Sequence, residues 1–176
     1  MMNEIQESEV PHAATQIDPG ALIAFVVECY HGTHRGELPP LIDLAHKVER
    51  VHQGAPEVPA GLAVLLEQLS TDLEKSMHFE EAILFPAIQN GLSSYIAELL
   101  SVLIKDSNKH RENIARIEVL TDHFSAPDNA CGSWLRLYAG VQKLCTNLRE
   151  HIDVEHDFLF SRLETATVPS GGCSHV

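Results

Sequence analysis

The densest chemistry in the chain lies near its C-terminus, in His151-Ile152-Asp153-Val154-Glu155-His156-Asp157-Phe158-Leu159-Phe160. A histidine and a carboxylate four positions apart turn through about 400° on a helix, so both side chains share one face, roughly 6 Å apart along the axis. Neutral imidazole and carboxylate together suit iron, manganese or zinc. Helical bundles assemble such sites from inward-facing residues on several helices. An altered second copy, Ser76-Met77-His78-Phe79-Glu80-Glu81-Ala82-Ile83-Leu84-Phe85-Pro86, aligns Glu80 with Glu155 and Leu84-Phe85 with Leu159-Phe160 but leaves Ser76 under His151. The apolar pairs just beyond each glutamate are expected to face the core, which turns both glutamates inward. A buried carboxylate without a cation is costly. Inward placement therefore favours a metal, or a protonated, histidine-paired state, over the solvent exposure usual for glutamate. His78 is a tempting substitute for the missing imidazole. It lies two residues past Ser76, a rotation of about 200°, so only a π-bulge near Met77 would bring it round.

The elements that must position these groups are helical. Asp18-Pro19 reads as an N-cap with proline in the first turn, opening a helix over 20–30. Gly32, Gly36, Pro39 and Pro40 are expected to break or kink the chain beyond it. Leu41, Leu44, Ala45, Val48 and Val51 form the next amphipathic stripe, which stops at Gly54-Ala55-Pro56. Long helices are expected from about 59 to 90, 93 to 123 and 129 to 163, separated by Asn90-Gly91 and Ser125-Ala126-Pro127-Asp128. No stretch alternates with period two. The fold class is all-α, an up-and-down four-helix bundle with an N-terminal helical arm, over residues 18–164, between flexible tails at 1–17 and 165–176.

The chain has 176 residues and a formal net charge of −13, with 12 Lys plus Arg against 25 Asp plus Glu. That balance repels a phosphate backbone and argues against nucleic acid. One domain of this size buries about two-thirds of its unfolded surface without needing disulfides. Cys29, Cys131, Cys145 and Cys173 show no CxxC spacing and read as reduced thiols of a cytoplasmic protein. Cys131, at a turn-to-helix junction where its pKa would fall, has no partner nameable from sequence. No apolar run is long enough to span a bilayer, and the acidic N-terminus carries no signal-like core. His12 and His175 lie in the tails.

With the bundle laid out, an ordered set of stretches resembles the hemerythrin-like domain of the RIC (repair of iron centres) family. They are Tyr30-His31-Gly32-Thr33-His34-Arg35 with Leu38-Pro39, Lys47-Val48-Glu49-Arg50-Val51-His52, Glu80-Glu81 with Ile83-Leu84-Phe85-Pro86, Ala130-Cys131 with Trp134, and Glu150-His151-Ile152 with Glu155 and Leu159-Phe160. The resemblance implies a non-heme di-iron centre and a role in restoring iron–sulfur clusters damaged by nitric oxide or oxidants. It implies His31 and His151 as terminal ligands and Glu80 and Glu155 as bridging carboxylates. Two implied histidines are replaced, one by Ser76 and one by Ser107, and the small cysteine-bearing domain that precedes the bundle in full-length members is not expected here. Four implied ligands remain, enough for one iron with open positions and thin for two. His110 sits three residues from Ser107, about 60° off the same face, where it could serve a shifted metal. His52 lies a helix length of roughly 30 Å beyond His31, so it should cap its helix end rather than share an iron. His34, one turn past His31, should support it or the kink at Pro39.

The resulting expectation is a non-heme iron protein of the nitrosative and oxidative stress response, with one or two ions. It would have damaged iron–sulfur proteins, NO or O2 as its partners and would not turn over substrate as an enzyme does. The alternative, motivated by the two serines, is a metal-free or zinc-binding helical regulatory module.

Overall fold

The structure, a computed structural model, describes residues 18–91 and 93–160, without the side chains of 93–97 and 158–160. Both expected tails, with Cys173, His12 and His175, lie outside those residues, as does the end of the last expected helix. So do the side chains of Leu159 and Phe160.

Asp18 caps the first helix, its Oδ2 accepting from the Ala21 amide at 3.0 Å, and Pro19 occupies the first turn where no amide partner is needed. Helix α1 (Pro19–Phe25) runs through a π turn (Val26–His31) into α2 (Gly32–Val51). The break expected at Gly32, Gly36, Pro39 and Pro40 does not occur; both prolines lie inside α2. Their side chains are exposed, so the carbonyls that lose an amide partner lie toward water, where solvent satisfies them and the helix continues. Gly61, at φ 91, supplies the left-handed residue that starts α3 (Leu62–Phe79). A second π turn (Glu80–Leu84) joins α3 to α4 (Phe85–Gln89). α5 (Ser93–Leu120) precedes α6 (Gly132–Val154), which passes into a third π turn (Glu155–Phe160).

The long helices pack in a ring, α2 on α3 and α6, α3 on α5, and α5 on α6. Polar contacts fix their antiparallel sense. Arg35 reaches Glu74 and His46 reaches Glu67 between α2 and α3, while Arg111–Asp153 and Arg149–Glu118 tie α5 to α6. The architecture is the four-helix bundle expected from the periodicity, with α1 as the arm. Its apolar interior is divided. One cluster, including Leu38, Leu66, Leu73, Met77, Ile117 and Leu144, fills most of the bundle. A second, including Leu22, Val26, Leu84, Phe85 and Leu103, is closed by α1. Glu80 falls between Met77 of one cluster and Leu84 of the other. The polar residues are thus walled by hydrocarbon at both ends. Among the described residues no helix is long and apolar enough to cross a membrane.

Candidate metal centre

His31, Glu80, His151 and Glu155 converge. One ligand atom from each lies within 4.8 Å of the others, and all four side chains are buried. His31 comes from the end of the first π turn, Glu80 and Glu155 open the second and third, and His151 sits in the last turn of α6. A π turn inserts one residue into a helix and re-aims the side chains around it, which is why such turns gather at functional sites. Here three of them meet at one level of the bundle.

His31 is oriented from behind. Its Nδ1 is 2.7 Å from Glu81 Oε1, and Arg35 Nη1 donates to the same oxygen at 2.8 Å while its Nε donates to Glu74 at 2.9 Å. With Nδ1 protonated toward Glu81, the Nε2 lone pair faces Glu80 Oε2 at 3.1 Å. A carboxylate behind a ligating histidine fixes tautomer and ring angle. Phe85 stacks on His31 at 5.9 Å, and Tyr30 lies nearly parallel to His151 at 5.0 Å. His151 Nε2 contacts Glu155 Oε1 at 3.1 Å, the i,i+4 pair expected from the spacing.

Electrostatics describe a site short of positive charge. Burial, reinforced by the nearby Glu155 carboxylate, holds the Glu80 carboxyl well above its ordinary range. Burial also pushes Glu155 upward, but His151, His31 and a hydrogen bond from Glu80 outweigh it and keep Glu155 low. Burial lowers His31 despite Glu81, so its imidazole is neutral. His31 Nε2, Glu80 Oε2 and His151 Nδ1 are buried with no hydrogen-bond partner. Two imidazoles and two carboxyl groups, three of the four carrying an unpartnered buried atom, are the donor set a divalent cation takes. They complete a tetrahedral ion and leave positions open on an octahedral one.

The remaining candidates divide. His78 is exposed beside a surface groove with Ser70, Thr71, Glu74 and Lys75. The nearby π turn begins after it, at Glu80, and so leaves it on the outer face. His110 is buried but outside the four-residue group; its Nε2 lies 3.1 Å from Ser76 Oγ. Ser76 is buried and Ser107 half-buried, and both line a cavity with Glu80 and Glu155. His52 ends α2, and Cys131 has a partner after all, His52 Nε2 at 3.1 Å from its Sγ.

Three residues matter more to the site than their sequence context suggests. Glu81 is visible in the sequence only as the neighbour of Glu80. Asp106 stands four residues before His110, a carboxylate–imidazole spacing the sequence displays. His34 is fully buried with both ring nitrogens unpartnered, its ring 5.3 Å from His151, and burial first, then the neighbouring imidazoles, take its pKa down to about 3.

Residues 23–163 match the hemerythrin HHE cation binding domain. The chain is 40% identical over 144 residues to the iron-sulfur cluster repair protein DnrN of Neisseria gonorrhoeae, covering 82% of this chain and 90% of that one. It is 40% identical over 141 residues to the iron-sulfur cluster repair protein YtfE of Musicola paradisiaca, and 38% identical to that of Yersinia pseudotuberculosis. Those two alignments cover 80% of this chain and 64% of each YtfE protein, so the chain spans about two-thirds of their length. A matching domain over most of its length, and a four-helix bundle with histidines and glutamates gathered in its interior, lead to one assignment: the chain belongs to the hemerythrin HHE cation-binding family, among the relatives of the iron-sulfur cluster repair proteins.

Proposed function

We propose that the chain is a non-heme iron protein that acts in the repair of iron–sulfur clusters damaged by nitric oxide or oxidants. The observation that carries this reading is the buried convergence of His31, Glu80, His151 and Glu155 within 4.8 Å. The names of the relatives, iron-sulfur cluster repair proteins, supply the process. Iron is preferred over zinc because the four donors leave an octahedral ion with open positions, which a protein that binds NO or O2, or hands iron to a cluster, requires. Bound iron would supply Lewis acidity, one-electron chemistry and exchangeable positions. The protein's own contribution is to hold the donors. Glu81 and Arg35 fix His31, Tyr30 and Phe85 wedge the two rings, and the two apolar clusters keep bulk water from both ends. Damaged iron–sulfur proteins in the cytoplasm are the proposed clients, and the chain acts as a donor or scavenger rather than a turnover enzyme.

The test is metal content and absorption of protein purified without chelators, then an assay of cluster recovery in an NO-treated iron–sulfur dehydratase. Iron near stoichiometric in the wild type, lost together with recovery in His151→Ala and Glu80→Ala, is the expected result. Recovery that survives the loss of metal would replace this reading with that of a metal-free binding module.

A further inference from the structure

A second pair of reactive side chains lies away from the metal cluster. His52 ends α2 and Cys131 precedes α6, and the bundle brings the imidazole Nε2 to 3.1 Å from the Cys131 sulfur. Buried Trp134 packs on the imidazole with ring centroids 4.9 Å apart, and Tyr138 meets the indole edge-on at 6.1 Å. The contact between imidazole and sulfur is thus set by packing. Cys131 is half-buried, with Asn129 and Gly132 exposed near it in the chain, so a small molecule can approach its sulfur. A partly exposed cysteine beside an imidazole is the arrangement that makes a thiol nucleophilic.

The other described cysteines lack that combination. Cys145 is buried and lies about 20 Å further along α6. Cys29 is exposed, but the hydrogen bond it receives from Thr33 falls on its carbonyl and not on its sulfur. It sits before α2, whose far end carries His52, roughly 30 Å away. A disulfide needs Cα atoms within about 7 Å, so Cys131 cannot close one with either. Its oxidation by disulfide exchange then stops at an adduct with an external partner.

We propose that the His52–Cys131 pair is a reversible covalent modification site, which takes a small disulfide and keeps one half of it as a mixed disulfide on Cys131. The Cys131 thiolate attacks one sulfur of the incoming disulfide. A new S–S bond to Cys131 forms as the original S–S bond breaks, and the departing thiolate takes the proton that His52 had received from Cys131. Cys131 is oxidised as the departing sulfur is reduced, and a second external thiol reverses the exchange. An attacking thiol works best with a pKa near the ambient pH. The His52 hydrogen bond, with the first amides of α6 adding to it, brings Cys131 down to about 7. The site uses no metal and is independent of the His31, Glu80, His151 and Glu155 cluster.

The experiment incubates the reduced, desalted full chain with hydroxyethyl disulfide, a probe without charge that the net −13 of the protein does not repel. Mass spectrometry with peptide mapping follows the adduct on each cysteine. At about pH 6 it should form on Cys131 before it forms on Cys29, and excess dithiothreitol should release it. His52→Ala should slow the Cys131 adduct about five- to ten-fold at that pH, because the thiolate lost as the pKa returns to its ordinary range outweighs the gain in nucleophilicity. At about pH 9.5, where wild type and variant are both largely thiolate, the order of rates should reverse, which a loss of packing alone would not produce. His52→Phe, which keeps a ring against Trp134, should repeat both results. Circular dichroism confirms that each variant is folded. Three outcomes would each overturn the proposal: Cys29 modified ahead of Cys131 at about pH 6, a Cys131 rate unmoved by both His52 substitutions, or a disulfide from Cys131 to another cysteine of the chain in place of the adduct.

Discussion

Glu81 does not touch the space where an ion would sit, yet its Oε1 receives both His31 Nδ1 and the Arg35 guanidinium, at 2.7 and 2.8 Å. Removing it leaves His31 free to rotate and to change tautomer. Carboxylates in this position typically carry a 10- to 100-fold share of metal affinity. Glu81→Ala is therefore expected to weaken iron or manganese binding by about that factor in a chelator competition. Glu74→Ala, which disturbs only the far side of Arg35, should change it far less. At the opposite end of the bundle the same economy of contacts produces a reactive thiol. Cys131 precedes α6, and the His52 hydrogen bond, with the amides of Trp134 and Ser133 behind it, brings its pKa down to about 7. The thiolate is thus present above that pH and lost below it. Buried Cys145, pushed by burial to about 12, stays a thiol throughout. Iodoacetamide labelling with peptide mapping should show Cys131 reacting faster than Cys145 at neutral pH. Its pH midpoint should lie near 7 and move upward in His52→Ala. A midpoint unchanged by that substitution would remove His52 from the account.

At the scale of the elements, the helices were legible in the sequence because their apolar periodicity is long and uninterrupted, as in Leu62, Leu65, Leu66, Leu69 and Leu73 of α3, all buried. The inward turn of Glu80 was legible for the same reason, through the buried pair Leu84 and Phe85. Less visible was the continuity of α1 with α2, since Pro39 and Pro40 are strong local breakers and their tolerance depends on facing solvent, a tertiary fact. The three π turns were also hidden. Each costs local hydrogen bonding that only the assembled cluster makes worthwhile, and periodicity averaged over a helix does not register one inserted residue. The link from α5 to α6 shows a comparable local cost. Asp122, His123 and Phe124 all adopt left-handed backbone, with φ of 46, 53 and 64°. Such a conformation costs a non-glycine residue roughly 1–2 kcal/mol. His123 is exposed, so His123→Gly gives up little packing, although glycine adds entropy to the unfolded chain. A net gain of about 0.5–1 kcal/mol is expected, a rise of roughly 1–4 °C in melting temperature for a domain of this size. A drop on calorimetry would mean that the imidazole makes a contact worth more than the strain.

For the whole molecule, the cluster is a weakness that a bound metal would offset. Glu80 and Glu155 are 3% and 5% exposed and lie between two apolar clusters, where a carboxyl group without a cation is held at the expense of its hydration. Replacing buried ionisable groups by apolar side chains of similar volume is commonly neutral or stabilising, whereas bound ligand stabilises only the form that can hold it. Glu80→Met is therefore expected to invert the order of stability with conditions. In the presence of a chelator the variant should melt above the wild type, by a few degrees for about 1–2 kcal/mol. With metal at about a thousand times its dissociation constant, the wild type gains about 4 kcal/mol and should overtake it by roughly 4–12 °C, while the variant scarcely moves. Scanning fluorimetry of both proteins, with and without ferrous iron or manganese, reads the two orders directly. If Glu80→Met melts below the wild type even in chelator, the carboxyl is contributing to the fold in its own right, and the picture of a bundle strained around an unmet charge has to be abandoned.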